Sequence, residues 1–382
     1  MNAYELSLAY EEVEDKILKD LKKTLEKYTK NQDIAKMTKS DWVKFQKDAL
    51  LGLKEFQEQC LSLYVEDCKD LRKEEIEEIK RQYRKKALEI NKELEELAKD
   101  GVIDSHKVEI ASLNTKKLKA LLNETNKKTS KLQEYAILRS TSDKYKKIIM
   151  GAQLYMNSGA STLWGAVDMA TMDFLQSGIT TIEYKNGANV NIASYSEMAL
   201  RTADARAQNQ ADADVREEWD IEPLVLCSEY GACSPTCLPW QGRVYIDDVY
   251  GSPTKKMLSE TQYERLSVAI GEGLFHPNCR HTLTTWFDGY SEKPKEKRTD
   301  KEISENYKAE QKQRGIEREI RKQKRLRDTC LTDEAKKQYD KRIRVLDKKM
   351  SNFISTTNDK AGTEILRRDR AREANRFKAR TN

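Results

Sequence analysis

Five side chains with metal-ligand chemistry fall in two short segments near the middle of the chain. Cys233 and Cys237 lie in Cys227 to Tyr245 (CSEYGACSPTCLPWQGRVY), and His276, Cys279 and His281 lie in Gly273 to Phe287 (GLFHPNCRHTLTTWF). Thiolate sulfur and imidazole nitrogen are the ligands a tetrahedral zinc prefers, so a pair from each segment could complete one structural site. The C-x3-C spacing and the gap before the second segment are atypical of small zinc modules, and Cys227 offers a sixth candidate. A second reading needs no metal. Pro239-Trp240-Gln241-Gly242 then forms a rigid turn with an aromatic plug and a glycine at positive φ, His276 and Asn278 bond loop backbone, and the cysteines fill small cavities. A third reading makes Cys279 or Cys237 a nucleophile with His276 or His281 as its base, the chemistry of a cysteine hydrolase. The chain carries no phosphate-binding glycine loop, no G-x-S-x-G and no H-E-x-x-H, so nothing else in it points to catalysis.

Such a cluster needs elements to hold it, and the residues around it mix helix and strand. Thr180 to Tyr184 and Ala188 to Ile192 flank Lys185-Asn186-Gly187, a strong hairpin signal. Ser194 and Glu197 form a capping box for a helix through about Glu218, with Ala199, Ala203, Ala207 and Ala211 on one face. Leu224 to Leu226, Arg243 to Ile246 and Thr282 to Trp286 are expected as short strands. Ser259 and Gln262 are expected to cap a helix over Tyr263 to Ile270, and Ala160 to Gln176 reads as an apolar helix closed by Ser177-Gly178. The central region is therefore α+β.

The flanks are simpler. From Trp42 the apolar positions run Phe45, Ala49, Leu53, Phe56, Cys60 and Leu63, slip, and resume as Ile76, Ile79, Tyr83, Ala87, Ile90, Leu94 and Leu97. Those steps of three and four keep one stripe on one face of a long, coiled-coil-like helix, which Asp100-Gly101 should stop. A second helical stretch carries Leu118, Leu121, Leu122, Leu132, Tyr135 and Leu138 towards Met150. The chain is 38% hydrophobic and 35% charged over 382 residues, which limits the core it can build and favours extended helices with partners elsewhere. We thus expect three parts: a helical arm over 1–150, a central α+β module over 151–290 and a basic helical tail over 291–382, predominantly α overall.

Charge separates these parts further. The arm carries a net +3, the central module −9, and the tail, with 29 basic and 17 acidic residues, +12. Only the tail suits an anionic partner, and contact with DNA phosphates there would be sequence-nonspecific and salt-sensitive. The bland alternative is a solvated helix with internal ion pairs. No apolar run is long enough to span a bilayer, and the N-terminal residues do not read as a secretion signal, so no membrane partner is expected. Cys60, Cys68 and Cys330 stand alone in helical contexts, which fits a reducing compartment better than a disulfide framework.

The combination C-L-P-W-Q-G-R-V-Y and H-P-N-C-R-H resembles the phage minor capsid protein 2 family of tailed phages. It is more distantly similar to Mu F-type head morphogenesis proteins, which carry a related H-P-N-C-R signature. Pro239, Trp240, Gln241 and Gly242, then Asn278, Cys279, Arg280 and His281, occupy the signature positions. Mu F-type proteins often end the signature in a second cysteine where this chain has His281, so any metal ligand set here would be altered. The resemblance implies a structural virion component present in few copies inside the capsid near the portal. It would join during head assembly in the bacterial host cytoplasm, with portal and other head proteins as partners, and act in packaging or ejection of DNA. A different class of reading, a metal-stabilised DNA-binding accessory protein working outside a particle, stays open.

Overall fold

The computed structural model describes residues 1–29, 39–106, 108–113, 115–127, 129–130, 146, 180–183, 189–260, 262–276, 279–293, 298–330, 333–361 and 366. The fold is predominantly helical, with a small mixed sheet, an α+β architecture. It divides into two compact units. One comprises Met1, Glu74–Lys127 and Met198–Gln311, and the other the described residues of Asn2–Lys73, Lys128–Glu197 and Lys312–Asn382.

In the second unit, helix α1 (Ala3–Thr29) packs on helix α2 (Lys39–Gln59). Leu6, Tyr10, Val13, Ile17 and Leu21 are the buried stripe of α1, and Phe45, Ala49, Leu53 and Phe56 that of α2. A π turn over Cys60–Tyr64 then joins α2 to helix α3 (Val65–Lys99). This is the slip in the sequence periodicity. The wider turn shifts the buried face by one residue, so Cys60, Tyr64 and Cys68 are buried while Leu63, expected in the stripe, is exposed. Helix α7 (Asp300–Thr329) continues into this unit beyond Lys312, where Arg321 pairs with Glu11 at 2.9 Å and Arg325 lies 3.7 Å from the buried carboxylate of Glu14. Helix α8 (Asp333–Ala361) follows, burying Ile343 and Met350. Strands β1 (Thr180–Glu183) and β2 (Asn189–Asn191) pair antiparallel as expected, although Lys185-Asn186-Gly187 lies outside the described residues. The expected helix Ala160 to Gln176 and the stripe positions Leu132, Tyr135, Leu138 and Met150 also lie outside them, as does the side chain of Trp42.

In the first unit α3 buries Ile79, Tyr83, Ala87, Ile90 and Leu94 and ends where expected. Gly101, at φ +73, lets its N–H reach Ala98 O while Val102 N–H reaches Leu97 O, satisfying the last carbonyls of the helix. Helix α4 (Ile192–Glu218) begins directly after β2, two residues before Ser194, so Ser194 stands inside the first turn rather than at its cap. Its buried face is Leu200, Ala203, Ala207 and Ala211. Two side-chain bonds join α3 to this segment: Tyr83 donates to Asp214 at 2.5 Å and Trp219 Nε1 to Asn91 at 2.9 Å.

The sheet has the order β5-β4-β3-β6, from β3 (Leu224–Cys227), β4 (Val244–Ile246), β5 (Glu264–Arg265) and β6 (Leu283–Thr285). β3 pairs antiparallel with β4 and β6, and β4 pairs parallel with β5. Alternation along each strand sends Val225, Cys227, Tyr245 and Leu283 to one apolar layer, with Cys233, Cys237, Leu266, Ala269, Leu274 and Ile303. Leu224, Val244 and Ile246 face the other layer with Trp286. The helix expected over Tyr263 to Ile270 is divided. Ser259 lies within a short helix α5 (Lys255–Glu260), residues 264 and 265 pair with β4, and helix α6 starts only at Leu266 and runs to Gly271. Free backbone at the sheet edge captured those two residues, and no local propensity announces that.

Beside the sheet, Arg216 is nearly enclosed and bridges two buried acids. Its Nη2 donates to Asp247 at 2.7 Å, and its Nε lies 2.8 Å from Asp212 in an ionic contact that is not aligned as a hydrogen bond. Asp212 also accepts from Thr285 Oγ1 at 2.9 Å, and Asp247 accepts the backbone N–H of Tyr250. This network ties α4 to β6 and to the loop after β4.

Candidate metal centre

Two turns leave the sheet and meet. After β3, Ser234 opens a tight turn in which Cys237 N–H and Leu238 N–H both bond Ser234 O, and a short 3-10 helix follows over Leu238–Trp240. Gly242, at φ +68, then donates to Cys227 O, returning the chain into register for β4. A Cβ on Gly242 would stand 2.7 Å from Glu229 Oε1, a side-chain end that can swing away, so it is the left-handed backbone that favours glycine here. The second turn enters through Gly273, at φ +117, packed against Thr236, and through Phe275, at φ +56. A bulky residue in the left-handed region is uncommon, and here it directly precedes His276.

Cys237 is the hub. The thiols of Cys233 and Cys279 and the imidazoles of His276 and His281 all act electrostatically on its sulfur. Its Sγ lies 3.7 Å from Cys279 Sγ, and with a ring nitrogen of His276 the three ligand atoms fall within 4.8 Å of one another. Cys279 Sγ is also 3.1 Å from His281 Nδ1, and Cys233 Sγ is 3.5 Å from His281 Nε2. All five sequence candidates are thus brought together, with Cys233 and Cys237 buried, His281 4% exposed and Cys279 the most open of the thiols. Cys227, the sixth, packs into the core under the sheet, where burial pushes its thiol up to about 12.

The imidazoles are oriented from outside. Gln241 Oε1 accepts the backbone N–H of Tyr230 at 2.9 Å, which fixes the amide, and the same oxygen lies 3.0 Å from His281 Nε2. His281 Nε2 must then carry the proton, which leaves the lone pair of Nδ1 towards Cys279. His276 Nε2 is held 2.7 Å from Ser234 Oγ, itself 2.9 Å from Thr236 Oγ1. The histidine contact expected with loop backbone is therefore made to a serine hydroxyl. Of the remaining signature positions, Arg280 donates to Tyr230 OH at 2.7 Å and stacks over that ring, while Tyr230 OH donates to Glu310 of α7 at 2.6 Å. Trp240 is half-buried against the cysteine-bearing core, its carbonyl accepts from Tyr245 OH, and Arg243 stands over its ring. It is less enclosed than an aromatic plug, because the 3-10 turn holds it at the rim of the sheet. Pro239 is exposed at the start of that turn, and Asn278 lies outside the described residues. Ser234, Gln241 in its orienting role and Tyr230 carry no ligand signature of their own in the sequence.

The charges in this cluster oppose nucleophilic use. The neighbouring thiols of Cys233 and Cys279 favour the charged form of Cys237, but Cys237 is fully buried. Cys279 borders a cleft of about 430 Å³ with His276 and His281, yet its bond to Cys237 and its burial push its thiol well above the usual range. The accessible sulfur is the one that resists ionisation, whereas a nucleophilic cysteine needs the reverse.

A family model described as phage minor capsid protein 2 matches residues 2–355. The chain belongs to that family. A protein of Lactococcus phage LL-H, titled "Structural protein", is 24% identical over 187 residues, 49% of this chain and 50% of the relative. The chain thus spans about half the length of the curated relative it matches. No solved structure matches. Membership of that family makes this a phage structural protein of the minor capsid class. Among the described residues no helix is long and apolar enough to cross a membrane.

Proposed function

We propose that this minor capsid protein is a low-copy component of the head interior, bound at the portal, that joins during assembly in the bacterial host cytoplasm and acts in packaging or ejection of DNA. The match of the family model to nearly the whole chain carries this reading. In it, the arm (1–150) and tail (291–382) contact neighbours while the central module (151–290) holds shape, without catalysing a reaction. Exposed Val43, Leu50 and Leu51 on α2 support a partner for the arm, because large apolar groups gathered on a helix surface mark contact surfaces more often than solvated ones. Exposed Lys336, Lys337, Lys341, Arg344, Lys348 and Lys349 on α8 support phosphate contacts by the tail.

Co-sedimentation of the full chain with portal oligomers, with and without DNA, tests this. The expected result is portal-dependent sedimentation and a DNA component that weakens steeply as salt rises. DNA retention without any association with portal or heads would favour instead an accessory protein working outside the particle.

A further inference from the structure

We propose that Cys237, Cys279, His276 and His281 bind one zinc ion tetrahedrally, and that this ion, rather than a disulfide or apolar packing alone, locks the two turns together. The spacing fits. Sulfur ligands about 2.3 Å from a tetrahedral zinc stand about 3.75 Å apart, and Cys237 and Cys279 are 3.7 Å apart. A ring nitrogen of His276 completes a set of three within 4.8 Å; His281 stands outside that set but has Nδ1 3.1 Å from Cys279 Sγ, and it closes the site as the fourth ligand by a small shift of its ring.

The groups behind the ligands have the form that metal histidines require. A ligating imidazole donates or ties its second nitrogen to an oxygen, which fixes its ring and tautomer. Both histidines do so here: His281 through Nε2 to Gln241, and His276 through Nε2 to Ser234. His281 therefore keeps Nδ1 for the ion, and at His276 the contact of Nε2 with Ser234 leaves Nδ1 as the nitrogen open to it. Gln241 is itself held by Tyr230 N–H, so a residue of the PWQG segment orients a ligand from the HPNCRH segment.

Cys233 is the thiol left out. Its Sγ donates to Ser234 O at 3.3 Å, a bond that keeps its proton. Two thiolates with two neutral imidazoles also balance the charge of Zn²⁺, which suits a site with buried ligands better than three thiolates would. One ligand from the first turn and three from the second make a closed four-ligand site with no position for water, and the role is structural.

The test is metal analysis of the full chain purified under reducing conditions without chelator, followed by replacement with Co²⁺. We expect about one zinc per chain and, with cobalt, the intense visible bands and thiolate charge transfer of a tetrahedral sulfur site. Cys237→Ser and Cys279→Ser should each reduce bound zinc to below roughly a tenth of an equivalent, while Cys233→Ser retains it. Gln241→Ala should keep the ligands but weaken zinc affinity about 10–100-fold. Because ligand variants can simply unfold, the wild-type cobalt spectrum is read independently of them. Substoichiometric zinc in the wild type, a cobalt spectrum without thiolate bands, or loss of metal in Cys233→Ser with retention in Cys279→Ser would each overturn the assignment.

Discussion

The sheet-bearing unit and the helical unit solve the problem of a charged, core-poor sequence in different ways. Around the sheet, ionisable groups are taken inside and held by named partners: Arg216 between Asp212 and Asp247, Tyr83 on Asp214, and the sulfur and imidazole cluster. In the helical unit most charges stay outside, as in the pairs Lys69–Glu66 and Lys16–Asp67. Interior charge demands exact partners and so fixes one geometry, whereas surface pairs contribute little and permit the helix to slide or bend. The first unit is built to hold shape. Among its described residues, the second buries a narrow apolar stripe along α1 and α2.

The largest expected effect breaks that contrast at its interior. Arg216→Ala leaves Asp212 and Asp247 buried without a cation and should cost about 3–5 kcal/mol, read by chemical denaturation. Gly242→Ala should follow, since it forces a side chain into a left-handed conformation, at about 1–2 kcal/mol. Tyr83→Phe removes the donor to Asp214 and should cost about 1–3 kcal/mol. At the other extreme, Lys69→Ala on the surface of α3 should change stability by less than about 0.5 kcal/mol; a larger loss would erase the distinction between the units.

A pH series sharpens the same comparison. Burial, with the nearby charges of Glu78 and Glu75, raises the carboxyl of Asp204 from 3.8 to about 8. A carboxyl raised on folding favours the folded state only while protonated. Stability from this group is fully present below the unfolded value and is lost as pH rises towards about 8. Asp204→Asn should flatten that part of the stability curve and stabilise the protein at neutral pH. An unchanged slope between wild type and variant would show that Asp204 is not held neutral.

Much of this division is legible in the sequence, for identifiable reasons. The stripe Phe45 to Phe56, the stop at Gly101 and strands β3, β4 and β6 follow from periodicity and from residues whose backbone preferences are strong. Leu63 departs from the periodic stripe because a π turn adds a residue to a helix without altering local composition. β5 was missed because Glu264 and Arg265 pair through backbone, to which the side chains give no clue. The stripe of α1 is equally periodic, but its helix declares itself by packing on α2, a distant contact. At the site, the five cysteines and histidines were visible as residue types. The functions of Ser234, Gln241 and Tyr230 in orienting them are not, because a bond to a backbone amide 11 residues away and side-chain contacts 40 and 42 residues away leave no spacing signature.

The most direct test of a structural role in the particle is quantitative mass spectrometry of phage particles banded on a density gradient, with cross-linking. The account predicts that this chain travels with full heads at a small number of copies per particle and cross-links to the portal. Its absence from purified particles, with the chain recovered only from the soluble lysate, would contradict it.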